Sequence, residues 1–422
     1  MTEVLIQNNK KDFDKDIMKW IKNFSNIKIR EKLSIKEILN YENISLWWFF
    51  QFSFYYLIKE AYTKNFKTIR RRYTRPHLIS LAKYYILTKF LIRFFCGKLI
   101  SLLYRNSNNS KILCISYPMN WRQTANPLSK KPKDDIMLGS VISKLQEQNF
   151  NIIGLEQDSK LKTLFEKTLY TKGSWKSVET YLIYDIIKKA FKMSKKFERE
   201  WYALKKDQSF IDLLKYNGFS LFGLLENYFG ELFRLSTFRE IIYIESIKRA
   251  IGVENPDLIL ITCEYCLLGR AAVIGGKLKN VPTLAIQHGT INSYDPAYFY
   301  TKSEISDEIA PQYCPLPDKT VVYGQYHKDI LTKLSAYPEN SVVVTGQPRY
   351  DILYYADKIY SKEKFLKKYK INPNYKIVLW TTQCHGLSYE ENIKNFKTIF
   401  KTMQNLKNTM LIIKQHPGEG KK

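Results

Sequence analysis

The sequence has little of what announces the common chemistries. Its six cysteines (Cys96, Cys114, Cys263, Cys266, Cys314 and Cys384) are scattered over 422 residues. They lack the paired density of a secreted disulfide framework, so a reducing, cytoplasmic setting is expected. Cys263 and Cys266 have CxxC spacing, but neither a second pair nor a neighbouring His accompanies them, and the segment closes a strand. Zinc and a redox motif are both disfavoured. There is no Walker loop, no GxGxxG after the first strand and no HExxH, which removes most of the support for kinase, dehydrogenase and metal-dependent readings. Neither a metal site nor a cofactor is expected. The opening residues, MTEVLIQNNKKDFDKD, have no apolar core of the kind a signal peptide requires. The longest uncharged stretch, Asn43 to Ile58, is 16 residues and contains Asn43, Ser45, Gln51 and Ser53. A spanning helix needs roughly 20 apolar residues, so no transmembrane segment is expected. The aromatic density of this stretch suits either a buried helix or one lying at a membrane interface.

Acidic residues are missing from one long region. Residues 61 to 133 hold sixteen Lys or Arg and no Asp or Glu, and contribute more than half of the net charge of +27. Arg70, Arg71, Arg72 and Arg75 form a cluster there. It is followed by an apolar run, Leu78 to Leu103, interrupted at Lys83, Lys89, Arg93 and Lys98. At helical spacing those four cations occupy about half the circumference, the pattern of a helix docked on an anionic surface. Three readings remain open: a helix on anionic lipid, a solvated face of an ordinary helical domain, and a nucleic-acid contact. No nucleic-acid motif accompanies the charge, and no such partner is expected.

What is present is an ordinary globular composition, 45% apolar and 25% charged, on a chain long enough for two or three domains. Residues 1–107 read as a helical, basic region ending at Asn106 to Ser110 (NSNNS). Residues 108–355 read as an α/β lobe: strand Lys111 to Tyr117, helix Asp135 to Phe150, strand Asn151 to Glu156, a helical insertion over about 160–235, then strands Pro256 to Ile261 and Val281 to Gln287 as parallel neighbours. Two further corners echo one another at an offset of 22, VVYGQYHKDIL from Val321 and VVTGQPRYDIL from Val343. A charged helix, Lys358 to Lys370, leads into residues 356–422, with strands Lys376 to Trp380 and Met410 to Gln415.

Four corners carry the functional reading: VPTLAIQHGT, VVVTGQPRYD, KIVLWTTQ and LIIKQHPGE. Each is a short β-branched run ending in Gly, His, Gln, Pro or Arg, and in open α/β sheets such strand ends line the binding crevice. His288 follows VPTLAIQ and precedes Gly289. It is read either as a catalytic or substrate-contacting group or as a structural histidine. Glu264, at the end of the neighbouring strand, is its candidate orienting carboxylate, or else pairs with Arg270. Arg349, after Gly346 and Pro348, offers a fork to phosphate or carboxylate, or pairs with Asp351. Lys414 and His416 suit an anion. Gln287, Gly289, Gly346, Thr382 and Gln383 complete the candidate substrate and donor contacts.

In this order the segments PDLILITCEY, a Gly-Arg-Ala-Ala helix, VPTLAIQHGT, VVVTGQPRYD and KQHPGE resemble the GT-B glycosyltransferase superfamily, in particular its surface-polysaccharide and CDP-glycerol glycerophosphotransferase-like branch. The resemblance runs from about Lys111 to the C-terminus. It implies two Rossmann-like lobes with the active site between them, and transfer of a sugar or polyol phosphate from a nucleotide-activated donor to a glycan or lipid-linked acceptor. It also implies His288 as general base and His416 on the donor phosphates; taken with the acid-free basic segment, the ordered corners lead to the expectation of a place at the cytoplasmic face of the membrane. UDP-N-acetylglucosamine 2-epimerases share the architecture, but the acidic group of their second corner is missing from Gln287-His288-Gly289. A non-catalytic, membrane-associated scaffold of the same fold is the third alternative. Only two strands fall in the second lobe, where five or six would be expected, so the lobe reads as truncated.

Overall fold

A computed structural model describes residues 2–29, 31–63, 76–103, 110–124, 131–157, 160–382 and 389–416. The chain divides into two compact units, Met1–Arg349 and Tyr350–Lys422. The principal elements of the first, in chain order, are helices α1 (Thr2–Asn26), α2 (Trp47–Thr63) and α3 (Ile79–Leu103), strand β1 (Lys111–Ile115), helix α4 (Gly139–Glu147), strand β2 (Asn151–Glu156), helix α5 (Leu161–Thr171) and strand β3 (Ser174–Ser177). Helices α6 (Tyr184–Leu204), α7 (Phe222–Glu231) and α8 (Thr237–Glu254) follow. Then come strand β4 (Leu258–Ile261), helix α9 (Leu267–Lys279) and strands β5 (Thr283–Ile286), β6 (Lys319–Val322) and β7 (Val342–Val344).

The seven strands form one parallel sheet in the order β3-β2-β1-β4-β5-β6-β7. The α/β class expected from sequence is the one observed. Runs such as KILCI and LILI are buried almost throughout, because helices cover both faces of a parallel sheet. The chain reverses its direction of travel across the sheet between β1 and β4, and at such a switch point the loops leaving the carboxyl ends diverge and open a crevice. The echo at an offset of 22 is an in-register pairing of adjacent strands, Val321 opposite Val343.

Strand β3 lies inside the segment expected to be wholly helical. Its residues, Ser174, Trp175, Lys176 and Ser177, carry no β-branched run, so pairing with β2 is decided by contacts. Trp175 packs on Gly154, where a Cβ would meet its ring at 2.2 Å, and its indole N–H donates to Thr171 Oγ1 at 2.7 Å. Lys176 reaches Glu254 at 2.7 Å.

The helices of residues 1–107 are not set apart from this lobe. Trp47 and Phe54 of α2 are fully buried in the same core as Phe210, Phe229 and Phe233, with ring centroids 5.3 Å apart for Trp47–Phe54 and 5.6 Å for Phe54–Phe229. The aromatic stretch is therefore core. Helix α3 corrects the four-cation arc. Lys83 is buried over the Phe238 ring, and Arg93 turns to Glu179 at 3.3 Å, leaving Lys89 and Lys98 exposed. The Arg70, Arg71, Arg72 and Arg75 cluster and most of the NSNNS stretch lie outside the described residues. Among those described, no helix is long and apolar enough to cross a membrane.

In the second unit, β8 (Lys376–Thr381), α10 (Tyr389–Gln404) and β9 (Thr409–Lys414) form a parallel β-α-β motif. The charged helix expected over Lys358 to Lys370 is two short ones, Ala356–Ile359 and Lys362–Lys368. Ser361 restarts the helix by accepting from the Lys364 N–H.

Candidate active site

The carboxyl ends of β4, β5 and β7 bring three residues together in the first unit. His288, two residues beyond β5, is half-buried, and its Nε2 lies 3.4 Å from the Tyr265 hydroxyl on the loop after β4. Gln287 is buried and staples this corner: its amide donates to the Gly289 carbonyl at 2.7 Å and accepts from the Tyr323 N–H at 2.8 Å. A Cβ at Gly289 would meet nothing, so the space beside the imidazole is open. After β7, Gly346 adopts φ +85°, a left-handed conformation that suits glycine, and turns the chain so that Arg349 comes back toward the site. With its amide oxygen facing them, Gln347 accepts from Tyr323 OH at 2.5 Å and Arg349 Nε at 3.2 Å.

Burial lowers the His288 pKa below its usual 6.5, and the charge of Arg349 lowers it further, against a smaller opposing effect of the Thr262 backbone. The imidazole is neutral at pH 7, the form that accepts a proton. Tyr265 is pushed up to about 12 by burial, then by Asp295, and stays a neutral hydroxyl. In Arg349→Gln the loss of the cation should favour imidazolium and raise the His288 pKa. An NMR titration of the histidine ring protons, with the His288 signal assigned by its loss in His288→Ala, checks this, and an unchanged value would remove Arg349 from the site's electrostatics.

Glu264 is close in sequence but turned away. It is buried, accepts from Tyr337 OH at 2.7 Å, and meets Thr320 Oγ1 at 3.4 Å. The role of orienting carboxylate for His288 is not supported, because both oxygens are committed elsewhere. The alternative partner, Arg270, donates to Pro315 O at 2.7 Å and to Tyr300 OH at 2.9 Å. Cys263 and Cys266 are joined as a disulfide, which departs from the reducing setting expected from the scattered cysteines. The bridge closes the loop that presents Tyr265. That loop is also packed tightly on α9, where a Cβ on Gly269 would stand 1.8 Å from the Cys263 carbonyl oxygen.

In the second unit, Thr382, Lys414 and His416 meet at the carboxyl ends of β8 and β9. Thr382 Oγ1 accepts from the His416 N–H at 2.9 Å, and the Thr382 N–H donates to the Lys414 carbonyl at 3.1 Å. Lys414 and His416 are exposed. Gln383 lies outside the described residues. Among those described, no group of His, Cys, Asp or Glu is placed to hold a metal ion.

No known family profile matches the chain. It is 24% identical over 359 residues to an uncharacterised protein of Methanocaldococcus jannaschii, covering 78% of this chain and 58% of the relative, so it spans less than two thirds of that relative's length. Among solved structures, the S. aureus MnaA–UDP co-structure matches at 15% identity and a TM-score of 0.38, covering 74% of this chain and 63% of that one. UDP-GlcNAc 2-epimerase from Neisseria meningitidis bound to UDP-GlcNAc matches at 15% and 0.38, covering 73% and 66%. A glycosyltransferase from Rickettsia africae matches at 11% and 0.38, covering 73% and 69%. Similarity at this level assigns neither family nor activity, and the α/β layout stands on the strand order itself.

Sequence reasoning missed the aromatic wall beside His288. Tyr265 stacks near Phe52 of α2, with centroids 4.8 Å apart, and meets Tyr298 edge-on at 5.5 Å, while Phe52 also meets Tyr56 at 4.9 Å. Tyr265 stood in plain view between the two cysteines. Nothing local to Phe52 points to residue 265. A surface groove of about 550 Å³ is lined by Lys189, Lys248, Arg249 and Lys279, among others. It lies at the amino-terminal edge of the sheet, where α9 ends, and Glu42 and Glu245 already engage Lys189 and Lys248.

Proposed function

We propose that the chain is an enzyme of GT-B type that transfers a sugar or polyol phosphate from a nucleotide-activated donor to a cell-surface glycan or lipid-linked acceptor at the inner face of the membrane. The observation that carries the reading is the neutral imidazole of His288 at a strand end, beside open space, with Tyr265 at 3.4 Å. His288 takes the proton of an acceptor hydroxyl as its oxygen bonds to the transferred group. The bond from that group to the nucleotide phosphate breaks, and the electron pair leaves with the nucleotide. Arg349 is the cation of this corner suited to an anionic substrate group. In the second unit, the Thr382, Lys414 and His416 corner is assigned to phosphate binding, because an exposed lysine and an exposed imidazole stand beside the Thr382 hydroxyl at the strand ends.

The test is thermal unfolding of the full chain with UDP-sugars and with CDP-polyols. A ligand at about 100 times its Kd should stabilise the protein by about 2.7 kcal/mol. Absence of a shift with either class would end the proposal. Interconversion of a UDP-sugar without acceptor, seen by NMR of the sugar ring, would replace transfer with epimerisation.

A further inference from the structure

We propose that α3 is a lipid-docking helix whose outward apolar stripe, bordered by Lys89 and Lys98, seats the protein on an anionic membrane surface. Leu81, Tyr85, Ile92, Phe95, Leu99 and Leu102, each at least 58% exposed, recur at intervals of three, four or seven, so they form one row along the helix. From Leu81 to Leu102 the row covers 22 residues, which at about 1.5 Å per residue spans about 32 Å. A surface row of this length is far more than scattered exposed residues produce.

The helix is held in this orientation. Ile79, Phe90 and Ile100 on the opposite side are buried. Gly97 is seated so closely that a Cβ would lie 1.7 Å from Thr180 Oγ1, and Arg93 is paired with Glu179. Rotation of the stripe inward would break all of these contacts.

Charge decides what covers the row. Taking 100° per residue, Lys89 and Lys98 stand roughly 90° to either side of its centre. Their ammonium groups lie near aromatic rings of the same helix, Lys89 Nζ 4.2 Å from the Tyr85 ring centroid and Lys98 Nζ 5.4 Å from that of Phe94. Exposed at the borders of the row, both lysines are placed to meet phosphate headgroups while the apolar row enters the acyl boundary. Exposed Tyr84 and Tyr85 suit the same interface. The row's spacing would also suit a second copy of the helix. However, α3 contains no Asp or Glu, so two copies would set lysine beside lysine with no acid on either helix to pair them. The surrounding residues, 61 to 133, are likewise free of acids. The inference deepens the proposed function by naming how the enzyme meets a membrane-held acceptor, and rests on that reading for this purpose alone.

The full chain is sedimented with phosphatidylcholine vesicles and with vesicles also containing phosphatidylglycerol. Binding is expected to the mixed vesicles only, weakening as salt shortens the screening length. Lys89→Glu/Lys98→Glu should weaken it by about 25-fold or more, at roughly five-fold per lysine removed. Phe95→Ser/Leu99→Ser should abolish it while the melting temperature stays at that of the parent, since both side chains face solvent. Equal binding to both vesicle types, binding to neither, or parental binding by both variants would overturn the proposal. So would a dimer that Phe95→Ser/Leu99→Ser dissociates, which would give the stripe to a second copy. The nucleotide-induced thermal shift, measured on the same samples, separates this outcome from the proposed function. A shift without vesicle binding sinks the docking helix alone, and vesicle binding without a shift sinks the enzymatic reading alone.

Discussion

Turnover by His288→Ala is expected to fall about 10²- to 10⁴-fold, the usual contribution of a positioned general base. The nucleotide-induced thermal shift should survive, because the half-buried ring supports no core element and the stapling of its corner is done by Gln287. The wild-type enzyme should show an acidic limb in its kcat/KM profile below pH 6.5. Burial and Arg349 lower the imidazole pKa, so the base is disabled only when it is protonated at lower pH. Steady-state kinetics across pH on both proteins checks this. Intact turnover in His288→Ala would remove the residue from the mechanism. A raised KM with kcat unchanged would make it a binding contact instead of a base.

Glu304→Gln is expected to destabilise the first unit by about 3–5 kcal/mol, the cost of breaking a buried ion pair by removing one partner. Glu304 is buried between two lysines, Lys22 on its Oε2 and Lys36 on its Oε1, each at 2.7 Å, and also accepts from the Thr301 N–H at 3.0 Å. Burial alone would raise its pKa, but the two ammonium groups and their hydrogen bonds outweigh that and hold it at about 2. The stability it contributes is therefore present above its ordinary value of 4.5 and lost as pH falls through about 2. In the variant, Lys22 and Lys36 face each other without a counter-charge, and the folded state favours their neutral forms. The unfolded chain keeps both protonated up to their ordinary 10.5, so raising the pH toward that value should narrow the deficit. Urea unfolding of both proteins at pH 7 and 9.5 measures it. A deficit that stays below 1 kcal/mol, or that grows with pH, would show that the cluster is not the buried charge network described.

Much of the fold was legible because a parallel strand buried on both faces leaves a continuous apolar mark. LILI, KILCI and TLAI could be placed to within two residues, and the loops beyond them, including Gln287-His288-Gly289 after TLAI, followed at once. Partners were not legible. Glu264 stands next to the His288 strand in sequence logic, yet its carboxylate goes to Tyr337, 73 residues away, while Tyr265 beside it turns to the imidazole. Sequence neighbours point in different directions once the strand ends, and a loop's rotation has no periodicity to read. The same limit applied to α3. Its cations were visible, but Lys83 and Arg93 were drawn inward by Phe238 and Glu179, which belong to elements far along the chain.

The sequence by itself determined an α/β chain with His288 at a strand's carboxyl end and an acid-free basic region before the sheet. Those features are local, set by burial period and composition. Only the tertiary structure decided that Ser174–Ser177 joins the sheet, that the aromatic N-terminal helices are core, and that Tyr265 and Arg349 are the neighbours of His288. Each of these depends on which distant surfaces meet. Trp20 shows the scale, donating from α1 to the carbonyl of Lys215, 195 residues later.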